Sequence, residues 1–588
     1  MSNPLLSDRD VAFQLYEVHG AEALTKLPAF AEHSKETFEL FLSAVRRFSR
    51  EVLAPTYRPI DEAPPTLESG RVRTHALMKS IYPQLAELGL LNAARPAEVG
   101  GQQLPTTVFG VATAYLMAAN LSAYGYAGLT TGAAHLIETF GTPELKRRFM
   151  EPMYAGRFTG TMALTEPQAG SSLADVKTRA TDAGDGSFRL SGSKIFISGG
   201  DNDFAQNVVH LVLARIDGAP SGTKGISLFA VPRLRDDGAD NDVSVAGVIH
   251  KIGWKGIPSL ALNFGERGDC RGWLVGAPHR GLPQMFQMMN EARIMVGMNA
   301  VASAAVAFHE SVRYAQERPQ GRAATERDPS TPQVPIVQHA DVRRMLLRQK
   351  AIVEGGLSLL IETSRFHDLS EHAPDAETKE RAKLLLDLLT PVAKTFPAEK
   401  GFEANALAVQ IHGGYGYSSE YPVEAWLRDQ KLNTIHEGTS GIQSLDLLGR
   451  KVVAGAGAAL RAFVEEIDAS IAAAHRAGVH DAWGRQLREV VEQLEAVTAE
   501  LGTAGLEGDV ERMLRHSAHY LDAFSTICVA WQWLKHATAA KRHEGAFAEG
   551  KQRAAQYWFA TELSRVPALL ALIRSGDDSY ARLQPEQL

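Results

Sequence analysis

The order of structural signals along this chain, helical, then strand-like, then helical again, is the feature that most limits its fold. Up to residue 160 apolar residues recur at helical spacing, as Phe38, Leu42 and Val45 do. Between residues 185 and 265 the pattern changes to short runs rich in Val, Ile and Phe that glycines separate, which favours β-strands. From about residue 283 the helical period returns. We therefore expect a mostly α fold with a central β domain set between helical layers.

The length of the chain, 588 residues, predicts several packed units because domains typically hold about 100–200 residues. We expect an N-terminal helical domain, a middle β domain, a C-terminal helical-bundle domain and an extra helical module, in that order, at 1–160, 161–280, 281–450 and 451–588. The stretch 319–335 predicts a surface loop, because it is rich in Pro, Gly and charged residues.

Charge and cysteine content exclude several classes of protein. The net charge is −7, and residues 451–588 hold 15 Lys plus Arg against 18 Asp plus Glu, so no basic surface indicates nucleic-acid binding. The two cysteines, Cys270 and Cys528, are in no metal-ligand spacing and form no disulfide framework. The N-terminus lacks the pattern of a signal peptide, and apolar stretches are broken before the roughly 20 residues that span a bilayer. We expect a cytoplasmic protein with no metal and no integral membrane segment.

Two segments near the strand-rich region have the residue types of a cofactor site. The segment 162–180, MALTEPQAGSSLADVKTRA, contains a small-residue loop whose backbone N–H groups and hydroxyls suit a phosphate or a polar ring edge. The segment 192–200, GSKIFISGG, places an aromatic residue before Ser and two glycines, where it can flank a flat ring. Taken singly, an ordinary turn explains the first segment and a core phenylalanine explains the second.

Two later segments add a glycine cluster and a candidate base. The segment 409–429, VQIHGGYGYSSEYPVEAWLRD, lacks the Lys-Ser/Thr of a Walker motif and follows no strand, so it is not a nucleotide P-loop. In the segment 433–451, NTIHEGTSGIQSLDLLGRK, Glu437 stands between His436 and Gly438 in an apolar context. A single glutamate is most often a solvated surface residue. This segment therefore indicates a catalytic base only when it is considered together with the other three segments.

Together, the four segments resemble the acyl-CoA dehydrogenase family, in the family's order and at similar separations over about residues 35–450. TEPQAGS is similar to its flavin-loop signature, QIHGGYGY…E…RD to its second signature, and IHEGTSGIQ to the segment that carries the catalytic glutamate. The added C-terminal module resembles the long bacterial subgroup, which includes long-chain and methylmercaptopropionyl-CoA dehydrogenases. The resemblance implies an N-terminal helical domain, a middle β-barrel, a C-terminal four-helix bundle and an added helical module.

The resemblance also implies a cofactor, FAD, and a role for each matching residue. Glu437 is the implied catalytic base, and Ala292, at the position where one branch of the family has its base, cannot accept a proton. The FAD contacts implied are Met162, Leu164, Thr165, Gly170, Ser171, Phe196, Ile197, Ser198, Arg318, Gln410, Gly413, Gly414 and Thr439. Arg318 and the residues from Gln410 to Gly414 are expected to serve the FAD of a neighbouring subunit. The substrate contacts implied are Ser171, Asn290, Arg293, His436 and Gly438.

The chain departs from the family pattern chiefly on the adenosine side of FAD. Ser172 stands where the first signature usually has Asp, and Ala425 replaces the usual Lys or Arg of the second. Gly441 occupies a position where many members have Gln. After Arg318 the sequence runs PQGR, without the common Phe, and then enters the loop 319–335. The contacts with the flavin ring are therefore better supported than those with the adenosine.

The expected reaction is the FAD-dependent α,β-dehydrogenation of an acyl-CoA to the trans-2-enoyl-CoA, as in fatty acid β-oxidation. The family removes the α-proton with the base while the β-hydrogen leaves as hydride to the flavin. The base on the later segment is the family's straight-chain arrangement. Small residues near the implied acyl path, Ala292, Gly297 and Ala300, leave room for a medium to long chain. Next to the base, His436 either tunes its pKa or packs against it, and packing is the simpler interpretation.

Other functions remain open at this stage. Methylmercaptopropionyl-CoA is the second candidate substrate, and an acyl-CoA oxidase of the same fold would pass its electrons to oxygen. A DNA-associated flavoprotein disagrees with the charge of 451–588, and a catalytically dead scaffold disagrees with the intact motif around Glu437. The expected partners are an acyl-CoA, electron-transfer flavoprotein and a second copy of the chain in a homodimer, with no nucleic acid.

Overall fold

The computed structural model describes residues 3–588, without the side chains of 287–290. Its first 160 residues are mainly helical, as predicted, with Phe38, Leu42 and Val45 buried. The helices are α1 Asp8–Ala12, α2 Lys35–Phe48, α3 Tyr57–Glu62, α4 Met78–Glu87, α5 Thr106–Phe140, α6 Pro143–Leu145 and α7 Glu151–Tyr154. A two-stranded hairpin, β1 Thr66–Glu68 with β2 Arg71–Arg73, interrupts them. The sequence did not predict this hairpin, because three-residue strands show no alternation.

An eight-stranded sheet follows, as the strand-like pattern predicted. Its strands are β3 Phe158–Ala163, β4 Arg179–Asp182, β5 Phe188–Ser198, β6 Asn207–Ile216, β7 Ile226–Pro232, β8 Val243–Ile249, β9 Ser259–Phe264 and β10 Cys270–Leu274. The order β10-β7-β6-β4-β5 closes into a ring because β10 also pairs with β5. Strands β9 and β8 continue from β5, and β3 lies parallel to β6. The ring brings the segments after β3 and at the end of β5 to the same region.

Helices return after the sheet. They are α8 Gly281–Glu317, α9 Ala340–His372, α10 Ala376–His412, α11 Gly414–Tyr417, α12 Val423–Gln430 and α13 Ser440–Asp446. Helix α10 continues through two internal prolines, Pro391 and Pro397. A proline removes one backbone hydrogen bond from a helix, and burial of the whole segment against α9 and α12 compensates for that loss.

The last 138 residues form a helical module whose central helix is buried. The helices are α14 Ala454–Arg476, α15 Asp481–Leu506, α16 Val510–Leu514, α17 Ser517–Ala540, α18 Ala546–Tyr557 and α19 Val566–Ser575. Helix α17 packs against α9, α13, α14, α15, α18 and α19. The apolar run at 520–534 therefore lies inside the chain's own fold, with Trp531 and Trp533 fully buried.

The N-terminal segment is fastened to the C-terminal module by buried polar contacts. Lys551 on α18 contacts Asp10 of α1, at a separation of 541 residues in the sequence. On α17, Lys535 donates to Glu362 at 2.6 Å, and the same carboxylate contacts His19 at 2.5 Å. Both ends of the chain thus belong to one packed unit.

The chain divides into two compact units. We call Met1–Glu39, Pro105–Ala114 and Arg293–Leu588 the terminal unit, and Leu40–Leu104 with Tyr115–Ala292 the middle unit. Among the described residues two helices, Thr106–Phe140 and Glu291–Glu317, are long and apolar enough to cross a membrane, although we expected no such stretch. The most apolar stretches of these two helices are 89% and 83% buried in the fold, as is typical of core helices.

Candidate active site

A buried ion pair fixes the first predicted cofactor segment in the middle unit. Lys194 of β5 donates to the carboxylate of Glu166 at 2.8 Å and to the carbonyl of Leu164 at 3.0 Å. Glu166 also accepts from the backbone N–H of Lys177 at 2.7 Å and of Thr178 at 3.0 Å. These bonds attach the loop that follows β3 to the strand that carries the second segment.

The charges of this pair are set by burial and by each other. Burial raises the pKa of Glu166, but Lys194 and the hydrogen bonds from Thr178 and Lys177 outweigh it and lower that pKa to about 2. Burial lowers the pKa of Lys194 to about 8, and Glu166 offsets only part of the effect. Both groups are therefore charged near neutral pH, and the loop between them is held rigidly.

A β-bulge at the end of β5 presents Phe196 to the surface. The register of β5 against β9 shifts between Lys194 and Ile197, and Phe196 has a left-handed backbone with φ of 60°. Its side chain is 61% exposed, while Ile197 is buried and Ser198 half-buried. The N–H of Ile195 donates to the carbonyl of Thr165 at 2.9 Å, which ties the bulge to the first segment.

The predicted residues of the first segment precede this bulge in the sequence. Met162, Leu164 and Thr165 are half-buried, and Gly170 and Ser171 are exposed. A Cβ built on Gly170 would meet nothing within 4 Å, so the loop there has open space beside its backbone. Hydrogen bonds thus join the two segments into one surface that has an exposed aromatic ring and an accessible backbone at Gly170. A flat polar ligand can cover such a surface.

The terminal unit holds a cavity that collects several other predicted residues. It has a volume of about 500 Å3, and its lining includes Arg318, Gly413 and Gly414. His412 stacks on Tyr314, which also lines the cavity, with ring centres 4.3 Å apart. A guanidinium group, two open glycine backbones and stacked rings suit a ligand that has both phosphates and an aromatic base.

The loop 319–335 is closed at its base by backbone hydrogen bonds, and its residue Gln320 contributes to the lining of this cavity. The N–H of Gln320 donates to the carbonyl of Val334 at 2.9 Å, and the N–H of Ile336 donates to the carbonyl of Arg318 at 2.9 Å. Gln410, which the sequence grouped with these residues, is exposed on the last turn of α10 and does not line the cavity.

The candidate base lies in a strained turn of the terminal unit. Glu437 is half-buried and has a left-handed backbone, with φ of 53°, and Gly438 follows with φ of 88°. Gln443 donates to the carbonyls of both residues, at 3.2 and 3.3 Å. Thr439 caps helix α13 by accepting from the N–H of Ile442 at 3.3 Å. The helix cap and the glutamine hold the turn in a conformation that a glutamate rarely adopts.

Two cations act on the Glu437 carboxylate. Burial raises its pKa above the ordinary value, and Arg293 and Lys394 partly oppose this rise. Arg293 is buried and donates to Asp446 at 2.7 Å. Lys394 has no exposed surface. The raised pKa makes the Glu437 carboxylate a stronger base than an exposed glutamate.

His436, which precedes the base, is neutral at physiological pH. Burial, and secondly the charge of Lys394, lower its pKa to about 3. A neutral imidazole adds no charge beside Glu437, so the electrostatics of the turn come from Arg293 and Lys394. Asn290, a predicted substrate contact, has its side chain outside the described residues.

The predicted residues fall into two groups, one in each unit. The residues from Met162 to Ser198 belong to the middle unit, and those from Arg293 to Thr439 belong to the terminal unit. The sequence interpretation missed the Glu166–Lys194 pair, although both residues lie inside its quoted motifs, because a polar residue in a motif does not show its partner. It also missed Lys394, whose only signal was a lysine within an otherwise apolar helical stretch.

The family models match nearly the whole chain. Residues 35–157, 161–266 and 279–452 match the N-terminal, middle and C-terminal domains of acyl-CoA dehydrogenase, and residues 463–584 match an acetyl-CoA dehydrogenase C-terminal-like domain. A 3-methylmercaptopropionyl-CoA dehydrogenase from Ruegeria pomeroyi is 38% identical over 79% of this chain and 78% of its own length. The chain belongs to the acyl-CoA dehydrogenase family. The expected family, fold class and enzyme class are thereby confirmed.

Other relatives of this acyl-CoA dehydrogenase agree. A broad-specificity linear acyl-CoA dehydrogenase from Mycobacterium tuberculosis is 35% identical over 78% of this chain and 77% of its own length. The solved structure of Caenorhabditis elegans ACDH-11 in complex with C11-CoA has a TM-score of 0.77 at 19% identity, covering 97% of this chain and 95% of that one. A Bacillus anthracis acyl-CoA dehydrogenase complexed with FAD has a TM-score of 0.75 at 21% identity, covering 95% and 93%. The last two show the shared fold, including the added module.

The cofactor of the family is FAD, as the sequence predicted, and the residues present here fit it. The decisive observation is Phe196, an aromatic side chain held 61% exposed on a bulge that the Lys194–Glu166 pair anchors. A large exposed apolar ring on a rigid, strained turn is explained when a flat ring covers it. The cationic and aromatic cavity around Arg318 has the chemistry for the other end of such a cofactor.

Proposed function

We propose that this acyl-CoA dehydrogenase oxidises a straight-chain acyl-CoA to the trans-2-enoyl-CoA, with Glu437 as the base. The carboxylate of Glu437 takes the α-proton, and the backbone N–H of the same residue donates to the thioester carbonyl, where negative charge develops. FAD, when bound, accepts the β-hydrogen with its electron pair. The observation that carries the proposal is the anchored, left-handed turn that holds a half-buried carboxylate, on which the charges of Arg293 and Lys394 act.

The raised pKa of Glu437 is suited to this role. A carboxylate with a higher pKa is a stronger base, and the α-hydrogen of a thioester is a weak acid. Because the base must be ionised, the rate should rise with pH as pH passes upward through the raised pKa of Glu437. A covering acyl chain excludes water from the carboxylate and strengthens these electrostatic effects.

The test of the base is the variant Glu437→Gln. We expect it to bind acyl-CoA and to lose flavin reduction by a factor on the order of 10²–10⁴ or more, because a positioned general base supplies that much. Anaerobic stopped-flow spectroscopy of the flavin measures the rate, with Glu317→Gln, an exposed glutamate at the end of α8, as the control. Reduction by Glu437→Gln within a few fold of the wild-type rate would remove the glutamate from the mechanism.

We propose the cofactor contacts as two groups. Met162, Leu164, Thr165 and residues 196–198 would contact the flavin ring, and Gly170 and Ser171 would lie near the phosphates and the pantetheine arm. Arg318, Gly413 and Gly414 would serve the adenosine and diphosphate of a neighbouring subunit's FAD, with Gln410 and Thr439 beside them. The support is the bulge with its exposed ring in the middle unit and the cavity in the terminal unit. The purified protein should be yellow, with about one FAD per chain.

The substrate would be a straight acyl chain of medium to long length. The support is the relative from Mycobacterium tuberculosis, whose description is broad-specificity and linear. Gly297, which the sequence suggested as room for the acyl chain, has a different role, because a Cβ there would lie 2.1 Å from the carbonyl oxygen of Ala393. It permits close helix packing, so only the other small residues remain as candidates for acyl space.

A series of saturated acyl-CoAs from four to sixteen carbons tests the chain length. Each extra buried methylene contributes about 0.8 kcal/mol, so kcat/KM should rise with length and then level off at the end of the pocket. An optimum at four carbons or fewer, or a preference for a branched chain, would contradict the proposal.

A second candidate substrate is methylmercaptopropionyl-CoA, because the relative from Ruegeria pomeroyi is named for that activity and is 38% identical. The same series with this thioester included decides between the two by their kcat/KM values. Electron-transfer flavoprotein is the proposed electron acceptor, and hydrogen peroxide formed in amounts equal to turnover would instead identify an oxidase.

We also propose that the protein is cytoplasmic and that its domains are 1–160, 161–280, 281–450 and 451–588. The support for the division is that the family models change near these limits. Fractionation of the source cells tests the compartment, and limited proteolysis tests whether cleavage occurs first near these limits.

A further inference from the structure

Three lysines of this chain are almost fully buried, and one of them differs from the others. Lys194, Lys394 and Lys551 are 1%, 0% and 0% exposed. The first pairs with Glu166, and the third pairs with two carboxylates. In the described part of the chain, Lys394 has neither a hydrogen-bond partner for its Nζ nor an ion pair. A buried ammonium group without a partner is costly, so this position needs a physical explanation.

The surroundings of Lys394 point to one carboxylate. The negative charges that act on it are those of Glu399 and Glu437. Glu399 is exposed and accepts a hydrogen bond from Ser440, so water screens its charge. Glu437 is half-buried, in the turn that carries the proposed base.

The other nearby cation is already paired. Arg293 acts on Glu437 as well, but its guanidinium donates to Asp446, and both side chains are less than 10% exposed. Asp446 also accepts from Arg450, so it is fully engaged by two cations. Lys394 is therefore the cation beside Glu437 whose charge no other buried carboxylate compensates.

We propose that Lys394 is the buried counter-charge of Glu437, a positioning residue that keeps this carboxylate ionised and in place before the substrate binds. The proposal rests on the proposed role of Glu437 as the base. Helix α10 supplies the lysine, and it packs against the turn Lys431–Thr434 and against α13, the two elements on either side of Glu437. All of these residues belong to the terminal unit.

The charges around the pair agree with this role. Burial raises the pKa of Glu437, and the charge of Lys394, together with that of Arg293, opposes the rise. Burial lowers the pKa of Lys394 to about 8, and Glu399 and Glu437 partly restore it while Arg293 lowers it further. Near neutral pH the lysine is thus mostly charged, and deleting its charge should make Glu437 harder to ionise.

The first experiment measures flavin reduction of the holoenzyme against pH by anaerobic stopped-flow. A nearby positive charge lowers the pKa of a carboxyl group, so Lys394→Met should move the acid limb of the rate profile to higher pH than in the wild type. Lys394→Arg keeps the charge and should leave the limb in place. The matched control is Lys400→Met on the same helix, whose lysine pairs with Glu403 and Asp522. An acid limb of Lys394→Met that coincides with that of the wild type would overturn the proposal.

The second experiment needs no turnover, so it separates this proposal from the identity of the base. Thermal melting at pH 7 compares Glu437→Gln, Lys394→Met and the double variant. If the two groups are a pair, Glu437→Gln alone leaves a buried ammonium uncompensated, and adding Lys394→Met should recover stability. Additive losses would refute the pairing, even if Glu437→Gln also abolishes flavin reduction. Recovery in the double variant together with normal reduction by Glu437→Gln would instead refute only the proposed base.

A third measurement covers the case in which Lys394→Met does not fold. When a lysine has a lower pKa in the folded state than in the unfolded state, the free energy of unfolding rises with pH between the two pKa values. For Lys394 these values are about 8 and 10.5. Removing the charge of Glu437 should lower the folded pKa of Lys394 further. The melting temperature of Glu437→Gln should therefore begin to rise below pH 8, whereas that of the wild type rises only above it. Parallel curves would contradict the pairing.

Discussion

Two residues of the proposed site, Phe196 and Glu437, have a backbone that ordinary side chains avoid. They are among nine non-glycine residues with positive φ in the described part of the chain. Such a conformation costs on the order of 1–3 kcal/mol and persists where the surroundings enforce it. At Phe196 the enforcement comes from the bulge and the Glu166–Lys194 pair, and at Glu437 from Gln443 and the cap of α13. Rigid placement of a ring contact and of a base is what the proposed chemistry needs.

The first prediction concerns the ion pair under the flavin loop. Lys194→Met should destabilise the fold by about 3–5 kcal/mol, because it leaves the buried carboxylate of Glu166 without its cation. Arg179→Met removes one partner of an exposed ion pair, with Asp217, in the same unit and should cost about 0–1 kcal/mol. Denaturant unfolding followed by circular dichroism gives both values, and release of FAD reports the loop itself. Equal losses for the two variants would show that Glu166 is not dependent on Lys194.

The sequence predicted some residues of the proposed site and not others. The motifs around Phe196 and Glu437 identified the candidate ring contact and base, because residue types and order along the chain carry that information. The partners of buried charges were not predictable. Lys194 lies 28 positions after Glu166, and no spacing rule connects a loop to a later strand before the register of the sheet is known.

At the scale of elements, the central feature is helix α10, which carries Lys394 between Pro391 and Pro397. Pro397 has no N–H to offer the carbonyl of Ala393, and that carbonyl instead faces Gly297 of α8. The missing side chain at Gly297 lets the two helices approach closely there.

The second prediction tests this close approach. Gly297→Ala places a methyl group 2.1 Å from the Ala393 oxygen and 2.7 Å from Leu360, so the helices must separate, at a cost of about 1–3 kcal/mol. The better helix propensity of alanine returns about 1 kcal/mol, and the net effect should still be destabilising. Gly502→Ala on α15 is the control, because its methyl group would meet only Val453 at 3.9 Å and should stabilise. Urea unfolding measures both, and a stabilised Gly297→Ala would contradict the packing argument.

At the scale of the molecule, the added module at 451–588 changes which surfaces of the chain are free. Helix α17 is buried among other helices of the same chain, and Trp533 donates to the carbonyl of Ala351 on α9 at 3.1 Å. The order of helical and strand regions was readable from sequence because periodicity is a local property. The sequence did not predict that α17 packs against α9. The two helices are about 180 residues apart, and an apolar helix face does not show which other element it contacts.

The third prediction is a homodimer. The module packs on its own chain, and it can thereby cover a surface through which shorter chains without it would pair dimers into tetramers. Light scattering of the purified holoenzyme should report twice the chain mass of 63.8 kDa, unchanged on tenfold dilution. A stable tetramer would show that the module leaves that surface open.

The contacts that join Asp10 and His19 to helices α18 and α17 also set an order of events during synthesis. Lys551 leaves the ribosome 541 residues after Asp10, roughly half a minute to two minutes later at typical elongation rates. For that interval Asp10 lacks the lysine that contacts it in the folded chain. The contact between residues 10 and 551 can therefore form only after most of the chain has been made.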